Sequence, residues 1–79
     1  MNIKVRLFAT LRTYVPEATI GATLDVELAE GAHLSDLIAR YPFPADLVKL
    51  AYVNGIYQEP GFLLHDGDEV GLFPPIGGG

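Results

Sequence analysis

The sequence contains no cysteine, so it has neither disulfide staples nor thiolate metal ligands. A chain of 79 residues is near the small end of what folds unaided and must rely on an apolar core. Basic residues are also scarce: five against ten acidic, a formal charge of −5. That balance makes nucleic acid a poor partner, because neutralising phosphates needs clustered Lys and Arg, and it reads as simple solubility. No run approaches the roughly 18 apolar residues that a membrane span needs. The opening Met1-Asn2-Ile3-Lys4-Val5-Arg6 lacks the apolar stretch of a signal peptide. A cytoplasmic protein without a membrane partner is the expectation. His33 and His65 stand alone, short of a zinc ligand set, and Asp66, Asp68 and Glu69 lack the other ligands of a calcium loop. No metal site is expected.

Apolar residues make up 49% of the chain, enough for one core, and their spacing predicts the elements. Ile3, Val5 and Leu7 alternate with Asn2, Lys4 and Arg6, the period of a half-buried strand. Phe8 falls on the polar face, where it either covers a sheet edge, the commoner case, or belongs to a binding surface. Thr10 to Tyr14 fits one helical turn before Pro16. Leu24, Val26 and Leu28 give a second alternating strand. Leu34, Leu37, Ile38 and Tyr41 form one stripe of a short amphipathic helix, with His33 at its N-cap and Pro42 ending it. Pro44 to Lys49 fits a further short turn. Leu50 to Val53 reads as a third strand, and Asn54-Gly55 as a hairpin turn into Ile56-Tyr57-Gln58. Val70 and Leu72 alternate on a last strand after the His65-Asp66-Gly67-Asp68 turn. One helix then covers one face of a sheet, an α+β domain in two layers. A parallel pairing of the first and last strands is a plausible centre. Ile3, Val5, Leu7, Leu24, Val26, Leu37, Ile38, Val53, Val70 and Leu72 are expected to share the core.

The sequence closes on Leu72-Phe73-Pro74-Pro75-Ile76-Gly77-Gly78-Gly79. Two prolines remove backbone donors and lead the chain away from a sheet ladder. Glycines lack a Cβ and pass through channels too narrow for other residues. The reactive group at such a tip is the α-carboxylate of Gly79. From Pro74 onward the segment reaches roughly 20 Å when extended. No Lys-Ser/Thr follows these glycines, so they do not form a phosphate-cradling loop. Phe73 has the opposite parity to Val70 and Leu72, which favours partner contact.

The element order, with Asp66-Gly67-Asp68-Glu69-Val70 running into Phe73-Pro74-Pro75 and a terminal Gly78-Gly79, resembles the ubiquitin-like sulfur carriers. Ile3 to Thr10 with Leu11-Arg12, and Val53-Asn54-Gly55, extend the likeness over the whole chain. Among these carriers it is most similar to the small subunits of molybdopterin synthases. The resemblance implies a ubiquitin-like β-grasp fold, a mixed sheet packed on one main helix. It implies a β-grasp domain over residues 1–73 and a flexible carrier tail over 74–79. Many members have a residue other than glycine where Gly77 stands here, so a floppier tail is expected.

The same resemblance implies the chemistry. An E1-like adenylating enzyme uses Mg-ATP, which the carrier does not bind permanently, to convert the Gly79 carboxylate into an acyl-adenylate. A persulfide donor then supplies sulfur, giving a C-terminal thiocarboxylate. The synthase large subunit accepts the tail, with Phe73, Pro74, Pro75, Ile76, Gly77 and Gly78 as its contact residues. The carrier positions the reacting group and its partners supply acid–base and electrostatic catalysis, so the chain is a non-catalytic subunit. Sulfur delivery to thiamin or cysteine synthesis, or transfer of the tail to protein lysines, keeps the same fold and tail. A β-grasp interaction module with a tail that is never activated is the alternative of another class.

Overall fold

The computed structural model describes residues 1–44 and 46–75. Its strands are β1 (Asn2–Leu7), β2 (Leu24–Glu27), β3 (Leu50–Val53), β4 (Ile56–Tyr57) and β5 (Glu69–Phe73). They form one sheet in the order β2-β1-β5-β3-β4. β1 and β5 run parallel, with Val5 opposite Val70 and Leu7 opposite Leu72. The other pairings are antiparallel. The expected central pair is therefore present, and the mixed sheet is that of a ubiquitin-like β-grasp.

Alternation sorts the strands into two faces. Ile3, Val5, Leu7, Val53, Val70 and Leu72 point inward and are buried, as is Leu37 from the helical layer. Leu24, Val26 and Ile38 also pack on this core but are only partly buried. For the first two the reason is position, since β2 is an edge strand with a neighbour on one side only.

The helical layer differs from the single main helix expected. The α-helix, α1 (Leu34–Ile38), has five residues, and a 3-10 helix over Ala9–Tyr14 has six. After Ile38 the bonds shorten: Arg40 N–H donates to the Leu37 carbonyl at 3.1 Å and Tyr41 N–H to that of Ile38 at 3.2 Å. Pro42 accounts for this, because the residue before a proline is pushed out of the α region. Tyr41 still packs on the core, as the stripe required.

The 3-10 helix contributes Leu11, which is completely buried. Val15, Ala18, Leu28, Leu34, Ala51 and Leu64 complete the core. The start of α1 is held by the segment before Leu64. Leu34 N–H donates to Phe62 at 2.8 Å and Ser35 N–H to Pro60 at 2.9 Å, which satisfies donors that a helix end leaves open. The Asp36 carboxylate accepts from the His33 N–H at 2.8 Å. Leu47 N–H donates to the Pro44 carbonyl at 3.1 Å, closing the short turn before β3.

Between β3 and β4, Asn54 and Gly55 have φ of 52° and 84°, the left-handed pair of the tight hairpin turn that matches strand twist. Beside this hairpin, at the start of β5, the Asp66–Asp68 turn is clipped to β1. Asp66 Oδ1 accepts from Asn2 N–H at 2.7 Å, and Lys4 N–H donates to the Asp68 carbonyl at 2.9 Å. The acidic residues of this turn thus serve as backbone acceptors. Among the described residues no helix is long and apolar enough to cross a membrane.

Candidate functional site

The helical layer covers one face of the sheet and leaves the other open. Strand parity puts Lys4, Arg6 and Phe8 on that open face from β1, Glu69, Gly71 and Phe73 from β5, and Leu50, Tyr52 and Asn54 from β3. Together with Thr23 and Gly55 these residues line a shallow depression of about 810 Å³.

Its floor is aromatic. Phe8 and Phe73 stack with ring centroids 4.2 Å apart and planes 5° from parallel. Tyr52 meets Phe73 edge-on at 5.7 Å and Tyr57 at 6.0 Å. Such pairs add about 0.5–1.5 kcal/mol each beyond area burial. Gly71 leaves room for the stack, because a Cβ there would stand 3.3 Å from Phe8 Cε2, tight enough to displace that ring slightly, and 3.5 Å from Phe73 Cε1. Phe8 therefore lies over the central strands and not at a sheet edge. The chain turns sharply after it: Ala9 has φ of 53°, a conformation costing an L-residue roughly 1–2 kcal/mol. That turn leaves Phe8 outside while Leu11 enters the core.

The charged end of the face is partly paired. Lys4 Nζ binds the Asp25 carboxylate and, by that hydrogen bond and its charge, holds the Asp25 carboxyl below its ordinary range. Arg6 Nε donates to Thr23 Oγ1 at 3.3 Å. Asn54 Nδ2 donates to Asp68 Oδ1, and Asn54 Oδ1 accepts from Glu69 N–H, both at 3.0 Å.

The end of β5 adjoins this floor. Phe73 has the orientation its parity predicts, and its carbonyl accepts from Lys49 N–H at 2.9 Å. The ladder ends there. Pro74 is nevertheless buried, and Pro75 is the first exposed residue of the segment. The remaining expected site residues, Ile76, Gly77, Gly78 and Gly79, lie outside the described residues. Sequence reasoning singled out Phe8 and Phe73 but missed Tyr52, Leu50, Arg6 and Gly71. The signal available for them was outward parity on β1, β3 and β5. His33 and His65 are both exposed.

The mixed five-stranded sheet with helices on one face and the other face open is that of the ubiquitin-like β-grasp proteins. The profile of the ThiS family matches residues 5–79, and the chain belongs to that family of ubiquitin-like sulfur carriers and modifiers. It is similar to a Pyrococcus furiosus protein provisionally assigned as molybdopterin converting factor subunit 1. The two share 31% identity at a TM-score of 0.77, over 96% of this chain and 99% of that one. Small archaeal modifier protein 1 of Haloferax volcanii shares the fold at 24% identity and a TM-score of 0.74, over 95% of this chain and 98% of that one. One chain of a complex of molybdopterin-converting factor subunits 1 and 2 from Helicobacter pylori shares it at 22% identity and a TM-score of 0.62, over the full length of this chain and of that one. No curated protein sequence gives a significant match.

Proposed function

We propose that this chain carries sulfur for molybdopterin synthesis on the carboxylate of Gly79. A carboxylate is a poor electrophile, and attack on the α-phosphate of Mg-ATP, with loss of pyrophosphate, turns it into an acyl-adenylate with AMP as a good leaving group. A persulfide sulfur displaces AMP, and a thiol reduces the resulting acyl disulfide to the thiocarboxylate. An E1-like adenylating enzyme supplies the first step and the synthase large subunit consumes the product. No side chain of the carrier takes part in bond making. Phe73 and Pro74 anchor the segment at the body, and Pro75, Ile76, Gly77 and Gly78 lead Gly79 into the partner.

The observation that carries this reading is the place where β5 ends. Its last residue forms part of the aromatic floor, so a partner seated on the open face receives the segment from Phe73 onward at its own surface. The family match through residue 79 supports the carrier chemistry, and the Pyrococcus relative supports the pterin route.

The test is intact mass after incubation with the adenylating enzyme, ATP and a persulfide donor, followed by pterin conversion with the large subunit. A mass shift equal to sulfur replacing oxygen is expected. Deleting Gly79 shortens the arm by one residue, about 3.3–3.6 Å, which exceeds the tolerance of a near-attack geometry, so thiocarboxylate formation should be lost. No shift in the wild type favours an interaction module that is never activated, and unaltered turnover by the deletion variant refutes the role given to the position of the Gly79 carboxylate.

A further inference from the structure

The open face holds a guanidinium that its own protein leaves largely unanswered. Arg6 is directly opposite Gly71 in the β1–β5 register, and Gly71 is opposite Tyr52 on β3. The row across the sheet is therefore Arg6, a bare backbone position, then Tyr52, with the Phe8–Phe73 stack leaning over that position. The neighbouring cation, Lys4, is taken by Asp25. Among the described residues no carboxylate forms an ion pair with Arg6. Its hydrogen bond to Thr23 uses Nε alone, and a guanidinium has five N–H donors in a planar fork.

Arg6 lies one residue beyond the last β1–β2 pair, Val5 opposite Leu24, and lines the depression together with Phe8, Tyr52 and Phe73. A partner that covers the aromatic floor also covers this group. Stripping water from a charge without giving it an acceptor is costly, and a carboxylate matches the fork with two parallel bonds. We infer that the partner docking here presents an Asp or Glu side chain to the terminal nitrogens of Arg6, ringed by apolar side chains seated on Phe8, Phe73 and Tyr52. This inference rests on the carrier reading above and adds the chemistry of the partner's contact. With a net charge of −5 the chain has no long-range attraction to an acidic surface, and screening confines the pair to roughly 8 Å. The pair therefore sets dissociation more than encounter.

The experiment measures binding of the wild type, Arg6→Gln and Arg6→Glu to the adenylating enzyme and to the synthase large subunit of the source organism. Thermal unfolding of each variant checks the fold. Arg6→Gln should weaken binding to at least one of them by roughly 30-fold or more, mainly through faster dissociation. Changing acidic residues of that partner one at a time to Lys should restore binding of Arg6→Glu at a single position. Wild-type affinity in Arg6→Gln, or no restoring position, overturns the inference and leaves the carrier reading intact if thiocarboxylate still forms. Self-association that Arg6→Gln abolishes would assign the face to a second copy and also overturn it. Absence of wild-type binding to both proteins, together with absence of the mass shift, overturns the carrier reading as well.

Discussion

Asn54 offers a quantitative test of how the open face is held flat. Its side chain joins the β3–β4 turn to the first residue of β5 by donating to Asp68 Oδ1 and accepting from Glu69 N–H, both at 3.0 Å. Its backbone sits at φ 52°. The two bonds are exposed, so each belongs at the low end of the usual range, about 0.5 kcal/mol. An alanine also has to enter the left-handed region, which costs about 1 kcal/mol more. Asn54→Ala should therefore lose about 2 kcal/mol, roughly 10 °C in melting temperature for a domain of this size. Asn54→Gly keeps the turn conformation and should lose about 1.5 kcal/mol, about 1 kcal/mol from the bonds and about 0.5 kcal/mol from chain entropy. Asn54→Asp keeps the acceptor for Glu69 but sets a second carboxylate against Asp68. Its deficit should be largest at pH 7 and shrink as the medium approaches the carboxylate pKa range near pH 4. Urea unfolding at both pH values, read by linear extrapolation, measures all three. Equal stability of the Ala and Gly variants would refute the conformational part. An Asp variant as stable as the wild type at pH 7 would refute the contact with Asp68.

Two further outcomes test the core and its margin. Leu11→Ala should lower unfolding free energy by about 2–5 kcal/mol, since Leu11 is completely buried; a loss under about 1 kcal/mol would mean that the 3-10 helix does not seal the core. The Tyr41 hydroxyl is buried without a hydrogen-bond partner, and desolvation raises its pKa. The unfolded chain therefore ionises first, and stability is lost as pH rises from the ordinary tyrosine range through the folded value. Tyr41→Phe should be neutral or slightly stabilising at pH 7, and denaturation midpoints should decline less steeply above about pH 10.

What the sequence disclosed follows from which interactions have a period. Alternation along β1 and β5 showed which residues face inward, whereas the parallel central pair was one of several sheet orders that this pattern allows. Leu11 and Leu64 escaped because they lie in a 3-10 turn and an irregular segment, where burial has no repeat to betray it. Phe8 and Phe73 were each visible as outward residues, but their stacking depends on register between strands more than sixty residues apart. Parity names a face, whereas only register names neighbours. Arg6 was overlooked for the same reason. An outward arginine on a strand reads as an ordinary solvated residue until the position opposite proves to be glycine and the rings beside it close over the gap.

Pro74 separates two events that a sequence reading merges. A proline ends a strand ladder because it has no N–H, and the ladder does end at Phe73. Its ring is still apolar, however, and nothing prevents it from packing; Pro74 is buried while Pro75 is exposed. The ladder thus ends one residue before burial does. If the segment acts as the carrier arm proposed above, its reach is counted from Pro75 and not from Pro74, which shortens the fully extended length from roughly 20 Å to about 17 Å. In that case a partner active site more than about 17 Å from the body's surface would require Pro74 to give up its burial, which costs apolar free energy. A shallower acceptor site would need no such displacement, and a partner seated as proposed on the open face beside Phe73 would be placed for the shorter arm to suffice.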